Sequence, residues 1–167
     1  NTHRTVVLGR TGTGKSQFAF FLLALQNFDK QPWIIIDYKG EDLLADIIKA
    51  TGKLIKYIKP TDKVPKEPGI YVMQPIPKVD DDAVEAFLWR VYRQGNVGLF
   101  VDEGFALPQR DAFDAILTQG RTKRIPVIIL YQRPVWMSRF ATAQADFFAV
   151  FSQNDKRDLQ SASEFVP

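Results

Sequence analysis

The chain has 167 residues, of which 46% are apolar and 25% charged, which is the composition of an ordinary globular protein. Cysteine is absent and the single histidine is His3, which excludes disulfides, cysteine metal sites and thiol nucleophiles and argues against histidine catalysis. The formal net charge of +3 permits nucleic acid as a partner without indicating it. The longest apolar run is too short for a membrane span, so we expect a soluble, intracellular protein that forms one domain over residues 1–167.

Apolar, β-branched runs bounded by turn residues predict six buried strands. These runs are Thr5–Leu8, Trp33–Asp37, Ile70–Met73, Val97–Val101, Ile125–Tyr131 and Phe147–Phe151. Helical patterns lie between them, so the sequence predicts an α/β fold with a parallel sheet and right-handed crossovers.

The clearest helix has apolar residues at helical spacing, with Asp80–Asp82 before it and Gly95 after it. Its apolar residues are Val84, Phe87, Leu88, Val91 and Tyr92. A shorter helix repeats the pattern around Phe113, and we expect it to begin at Pro108 and end at Gly120.

The segment GRTGTGKS satisfies the pattern G-x-x-x-x-G-K-[ST] and lies between an apolar strand, TVVL, and a helix-forming stretch. This is a phosphate-binding P-loop, or Walker A motif, in which backbone N–H groups surround a phosphate at a helix N-terminus. The predicted nucleotide-binding residues are Gly9, Arg10, Thr11, Gly12, Thr13, Gly14, Lys15 and Ser16. We expect Lys15 to bridge the β- and γ-phosphates of ATP, and Ser16 to offer its hydroxyl to Mg²⁺.

A second motif, VDE, closes the apolar strand that begins at Val97 and places two carboxylates at its carboxyl end. Asp102 fits a Walker B aspartate that holds Mg²⁺ through water. Glu103 is placed to polarise a water for attack on the γ-phosphate, so we expect it to act as the catalytic base.

A third segment runs from Gly120 to Pro134, with Arg121 after a helix and Gln132 at the tip of a strand. Taken with the P-loop, IIIDYKG and VDE, its spacing resembles the FtsK/HerA superfamily of DNA-pumping ATPases across nearly the whole chain. The small size and the late segment DFFAVFSQNDKRDLQ resemble, within that superfamily, the genome-packaging ATPases of internal-membrane phages and archaeal icosahedral viruses.

The resemblance implies a P-loop NTPase fold of the ASCE/RecA-like type, with a mostly parallel sheet and helices on both faces. It also implies that the strand ending at Gln132 lies between the P-loop and Walker B strands, so that the Gln132 amide faces the γ-phosphate. A homo-oligomeric ring, either a pentamer or a hexamer, is implied as well. In such a ring Arg121 of one subunit would complete the neighbour's catalytic site, and the alternatives for this role are Arg124, Arg133 and Arg157.

The function implied by the resemblance is an ATP-hydrolysing motor that translocates double-stranded DNA and packages a viral genome into a capsid. Capsid or portal-vertex proteins would then be further partners, and the host cytoplasm or the packaging vertex of the virion would be the location. DNA-transfer or filamentous-phage assembly ATPases of the same superfamily share these motifs. A nucleotide-dependent switch and a small-molecule kinase are the alternatives outside motors, although Glu103 beside Asp102 argues against a kinase.

The sequence departs from the superfamily pattern at two positions. Arg124 stands where the family usually has glycine, and Tyr131 stands where a small or hydroxyl residue usually precedes the glutamine. Asp37 and Lys39 match a family segment, and either a role in the site or a simple strand-end turn is compatible with them.

Six lysines fall within one stretch that lacks arginine and holds few carboxylates. They are Lys49, Lys53, Lys56, Lys59, Lys63 and Lys66. Repeated around a ring, this stretch would form a positive band for sequence-independent contacts with a DNA backbone, although lysines at this spacing also occur on solvated faces.

Overall fold

The computed structural model describes residues 2–40 and 43–164, so the two ends of the predicted 1–167 domain lie outside the described residues. The strands are β1 (Arg4–Leu8), β2 (Pro32–Asp37), β3 (Ile55–Tyr57), β4 (Gly69–Met73), β5 (Gly98–Asp102), β6 (Val127–Tyr131) and β7 (Phe147–Val150). The helices are α1 (Lys15–Ala24), α2 (Leu43–Thr51), α3 (Asp81–Gln94), α4 (Asp111–Gln119), α5 (Arg139–Gln144) and α6 (Lys156–Ser163). Short 3₁₀ turns follow β5 and β6.

The strands form one sheet in the order β3-β4-β2-β5-β6-β1-β7, and every pairing is parallel. Strand β6 lies between β1 and β5, which confirms the predicted position of the strand that ends at Gln132. In the register of β1 and β6, Leu8 is opposite Tyr131. The residues that follow these two strands therefore emerge side by side.

All six predicted strands are present, and β3 is an addition that the sequence analysis missed. Strand β3 has three residues, and its central Lys56 is exposed because β3 is an edge strand with β4 as its one partner. A three-residue edge strand with a lysine in the middle carries too little apolar pattern to be recognised from sequence.

Helix α3 agrees with its prediction, whereas the predicted start of α4 at Pro108 is wrong. The helix begins at Asp111, and residues 107–110 are in extended or turn conformation. The backbone N–H of Ala112, in the first turn of α4, donates to Glu85 Oε1 at 3.0 Å. Because Glu85 belongs to α3, the start of α4 depends on a contact that is remote in sequence.

Two apolar cores lie on opposite faces of the sheet. Strand β2 shows the division, because Ile34 and Ile36 pack with α3 and α4 while Trp33 and Ile35 pack with α1 on the other face. All six residues of β2 are buried, as expected for a central parallel strand covered on both sides. Within the described ranges, no helix combines the length and apolar character that crossing a membrane requires.

The turn between α4 and β6 explains the departure at Arg124. This exposed residue has φ 57°, which lies in the left-handed region that favours glycine. Its backbone N–H donates to the Arg121 carbonyl at 3.1 Å, and that of Ile125 donates to Gly120 at 2.9 Å. The turn thus keeps the backbone conformation that suits the glycine usual at this position.

We expect Arg124→Gly to raise the free energy of unfolding by up to about 1 kcal/mol, because glycine removes the Cβ strain while adding some unfolded-state entropy. Arg124→Ala is the matched control, since it removes the same charge but keeps the Cβ, and little change is expected. Urea denaturation of both variants measures the difference. A glycine variant that is less stable than the alanine variant would contradict this explanation.

Candidate active site

The carboxyl ends of four neighbouring strands bring the predicted site residues together at one edge of the sheet. The P-loop follows β1, Asp102 ends β5 and Gln132 follows β6. Strand β2, the neighbour of β5, ends at Asp37 opposite Asp102. Open parallel sheets bind their ligands at this edge.

The P-loop is anchored to the sheet and folded around a cavity. The Gly9 N–H donates to the Tyr131 carbonyl at 3.1 Å, and a Cβ on Gly9 would lie 2.6 Å from the Phe151 side chain. Gly12 and Gly14 have φ of 81° and 88°, which the loop requires to turn into α1.

The cavity above the loop measures about 310 Å³. Its lining residues are Arg10, Thr11, Gly12, Gly14, Lys15, Ser16, Gln17 and Lys39. The N-terminus of α1 lies beside it, and the Lys15 side chain is part of its wall. Helix N–H groups and an ammonium are the groups that bind phosphate, so this cavity fits a nucleotide polyphosphate.

Asp102 and Glu103 are both buried, with exposures of 2% and 3%, and Lys39 from the lining of this cavity has its Nζ 3.9 Å from Asp102 Oδ2. Burial raises the pKa of Asp102 from 3.8 to about 6, while Lys39 and Lys15 act in the opposite direction. Among the described residues, Asp102 Oδ1 and Glu103 Oε2 have no hydrogen-bond partner. Buried acceptors without donors are costly, and they are explained if the site binds a cation or water.

Glu103 is held in an unusual conformation by several neighbours. Its backbone has φ 65° and ψ 66°, a left-handed conformation that costs about 1–2 kcal/mol outside glycine. Gln132 Nε2 donates to Glu103 Oε1 at 2.6 Å, and Lys39 Nζ lies 2.5 Å from the same oxygen. The predicted base and the predicted sensor residue are thus in direct contact.

The departure at Tyr131 is accommodated by the glycine after Glu103. Tyr131 is 2% exposed, and a Cβ on Gly104 would lie 2.7 Å from its ring. The larger side chain before Gln132 therefore occupies space that Gly104 leaves open.

The segment after β2 resolves the alternatives for Asp37 and Lys39, since it is a turn and also supplies the site. Asp37 Oδ1 accepts from the backbone N–H groups of Lys39 and Gly40 at 3.1 and 3.0 Å, and Asp37 Oδ2 accepts from Gln74 at 2.8 Å. The turn directs the Lys39 side chain to Asp102, the last residue of β5, and to Glu103, which follows it. Sequence reasoning left the role of Lys39 open, although a lysine directly after a strand adjoining the carboxylate strand was an available signal.

The residues present fit a magnesium ion shared with phosphate rather than an all-protein metal site. Within residues 2–40 and 43–164, no group of three or more Asp, Glu or His residues could hold a metal. Ser16 lines the phosphate cavity, and Asp102 offers an oxygen without a hydrogen-bond partner. Mg²⁺ commonly uses one or two protein oxygens, with waters and phosphates completing its shell.

Arg121 is the predicted site residue that the fold does not bring to this edge. It follows α4 and pairs with Asp146, which also accepts from the Arg4 backbone N–H at 2.8 Å. Arg4 is the first residue of β1, whereas the P-loop follows the last residue of β1, about 13 Å further along the strand. Arg121 therefore lies at the amino edge of the sheet, away from its own chain's phosphate cavity. Arg133, one of the alternatives, is next to Gln132 and pairs with Asp158 at 2.8 Å.

Comparison with solved structures supports the fold. The genome packaging NTPase B204 of Sulfolobus turreted icosahedral virus 2, in complex with ATP-gammaS, matches with TM-score 0.71 and 19% identity, covering 98% of this chain and 81% of that one. ATPases 2 and 3 of EssC from Geobacillus thermodenitrificans match with TM-score 0.64 and 12% identity, covering 96% of this chain and 34% of that one. The fold is thus the α/β fold of P-loop packaging ATPases, as the sequence resemblance implies.

Comparison with characterised sequences gives a closer relationship, although no protein-family model matches the chain. The DNA packaging ATPase P9 of Enterobacteria phage PRD1 is 46% identical over 165 residues, which cover 98% of this chain and 70% of that protein. Identity at this level over nearly the whole chain confirms the resemblance to viral genome-packaging ATPases. The chain therefore belongs to the family of the DNA packaging ATPase P9 of phage PRD1.

Proposed function

We propose that this chain is an ATP-hydrolysing motor that moves double-stranded DNA into a viral capsid. The relative that shares its family is named a DNA packaging ATPase. The observation that carries the hydrolytic part is the buried pair Asp102 and Glu103, with Gln132 in contact with Glu103 and with Lys39 joining both carboxylates to the phosphate cavity. This arrangement suits activation of a water next to a bound triphosphate.

In the proposed mechanism, the P-loop and Lys15 hold the β- and γ-phosphates of ATP. Ser16 and Asp102 would hold Mg²⁺, which neutralises phosphate charge when it is bound. Glu103 accepts a proton from the water whose oxygen attacks the γ-phosphorus, while the bond from that phosphorus to the ADP oxygen breaks. Gln132 orients Glu103 through its amide and can respond to the γ-phosphate from the same position.

The fold position of Arg121 supports a role in a neighbouring subunit. It lies at the amino edge of the sheet with its side chain about half exposed, so it does not reach the phosphate cavity of its own chain. The proposed homo-oligomeric ring of five or six subunits would bring Arg121 to a neighbour's cavity if the amino edge of one subunit faces the carboxyl edge of the next. Arg121 would then stabilise the charge that develops on the transferred phosphoryl group.

DNA contact by the lysine stretch stays a prediction. Among the described residues, Lys53 pairs with Asp29 at 2.7 Å and Lys56 with Glu67 at 3.9 Å. Exposed pairs of this kind are weak, so a phosphate backbone could displace them.

We infer that the partners are double-stranded DNA and either capsid or portal-vertex proteins. The interaction would take place in the host cytoplasm or at the packaging vertex of the virion.

The experiment that tests the proposed function is the rate of ATP hydrolysis with and without long double-stranded DNA. A motor is expected to hydrolyse ATP faster in the presence of the polymer, and the stimulation should weaken with salt because it depends on phosphate contacts. Lys15→Ala is the control for contaminating activity, and no turnover is expected in either condition. A rate that is indifferent to DNA at every length and salt concentration would favour a switch or a kinase.

We expect Gln132→Ala to bind ATP within about twofold of the parent chain but to hydrolyse it about 10 to 100 times more slowly. The variant loses a hydrogen bond to a carboxylate, worth about 1.5–3 kcal/mol, that orients Glu103. Gln109→Ala, which removes an exposed amide from the adjoining loop, is the matched control and should behave normally. Circular dichroism separates a catalytic loss from misfolding, and a folded Gln132→Ala with full activity would contradict the role.

A further inference from the structure

Lys39 occupies a central position in the site, although neither the Walker A nor the Walker B pattern includes it. Its Nζ lies 2.5 Å from Glu103 Oε1 and 3.9 Å from Asp102 Oδ2. The same side chain lines the cavity formed by the P-loop. Lys39 is thus in reach of both the catalytic carboxylate and the space that a nucleotide phosphate would fill.

The turn after β2 fixes the backbone of Lys39 while leaving its side chain partly accessible. Asp37 is 1% exposed, and its two oxygens accept from Lys39, Gly40 and Gln74. Gly40 has φ 62°, which lets the chain leave the strand in this direction. The Lys39 side chain is 25% exposed, and its four-carbon stem allows the ammonium to exchange partners without movement of the backbone.

The contact between Lys39 and Glu103 conflicts with the role of Glu103 as a base. Glu103 Oε1 already receives the Gln132 amide and the Lys39 ammonium. An ammonium on this oxygen takes up a lone pair to which the attacking water would otherwise donate. A γ-phosphate in the cavity carries more negative charge than one carboxylate, so it competes for the same ammonium.

We propose that Lys39 is a positioning residue that senses the γ-phosphate, pairing with Glu103 when that phosphate is absent and with the phosphate when ATP is bound. Transfer of the ammonium to the γ-phosphate removes the Lys39 contact from Glu103 Oε1, so that the attacking water can donate to the carboxylate that Gln132 still orients. The inference rests on the proposed function of the cavity as an ATP site. In addition to the residues that hydrolyse ATP, the site would then contain a residue, Lys39, that distinguishes ATP from ADP.

The test compares the affinities of ADP and of a non-hydrolysable ATP analogue, each with Mg²⁺, for the full chain and for Lys39→Met. Methionine is similar in length and removes the charge. Calorimetric titration is expected to show at least tenfold weaker binding of the analogue and less than twofold weaker binding of ADP, because ADP lacks the γ-phosphate. Lys39→Arg keeps a cation and is expected to retain most of the preference for the analogue.

Lys30→Met is the matched control, since it removes an exposed ammonium just before β2, at the opposite edge of the sheet, and should change neither affinity. Equal weakening of both nucleotides, or no change in either, would overturn the inference. If Lys39→Met does not unfold cooperatively, Lys39→Gln is titrated instead with the same criteria. Failure of the parent chain to bind either nucleotide would refute the proposed function too, whereas normal binding with an unchanged preference in the variant refutes this inference alone.

Discussion

Glu103→Gln is expected to lower the rate of ATP hydrolysis by about 10²–10⁴ while ATP and Mg²⁺ remain bound. Glutamine keeps the size of the side chain and its position next to Gln132, but it cannot take a proton from water. Since Glu103 acts on the attacking water and not on the phosphates, the loss should appear in the turnover number rather than in the affinity for ATP. Single-turnover hydrolysis and nucleotide titration on the same preparation measure the two quantities separately.

Two further variants make this result specific. Lys15→Ala removes the charge that lines the phosphate cavity, so it should lose nucleotide binding as well as hydrolysis. Glu67→Gln removes an exposed carboxylate elsewhere on the chain and should leave both unchanged. Hydrolysis by Glu103→Gln at close to the parent rate would show that another group activates the water.

Arg121→Ala is expected to lower hydrolysis by about 10³–10⁵, the range over which arginine fingers act. Because Arg121 lies at the amino edge of the sheet, a phosphoryl group that it stabilises would have to be bound by another subunit. Activity per subunit should therefore rise with protein concentration. Mixing inactive Arg121→Ala with inactive Glu103→Gln should restore part of the activity, since some interfaces then join an intact base with an intact arginine.

Arg93→Ala is the matched control for this experiment, because it removes an exposed arginine from the last turn of α3, which also ends at the amino edge of the sheet. Asp146, the partner of Arg121 within the chain, would have to release the guanidinium when the ring forms. Rates that are independent of concentration, together with no rescue in the mixture, would mean that Arg121 does not act across an interface. Two of the alternatives, Arg133 and Arg157, which lie later in the sequence, would then be tested in the same way.

Sequence analysis predicted the site residues that directly follow a recognisable apolar strand. The P-loop, the pair Asp102 and Glu103, and Gln132 each follow an apolar run that is recognisable by itself. Parallel strands place all of their carboxyl ends at one edge, so correct strand assignments were sufficient to bring these residues together. The contact between Gln132 and Glu103 follows from the adjacency of β5 and β6.

The parts that sequence analysis missed or left open depend on contacts between distant segments. Lys39 reaches the site because β2 is next to β5, and its turn is completed by Gln74, which follows β4. The start of α4 depends on Glu85 of α3 rather than on the proline before it. The side of the sheet on which Arg121 lies became clear only with its pairing to Asp146. No periodicity or turn signal in one segment contains such information.

The pairing of β1 with β6 has a consequence for the order of events during synthesis. Leu8 lies opposite Tyr131, and the P-loop is tied to the sheet through the Tyr131 carbonyl. At translation rates of about 5–20 residues per second, roughly 6 to 25 seconds separate the appearance of these two strands on the ribosome. Throughout that interval the glycine-rich segment has no sheet to hold it in shape. Nascent chains that stop before β6, and so lack about the last quarter of the sequence, should therefore bind no nucleotide.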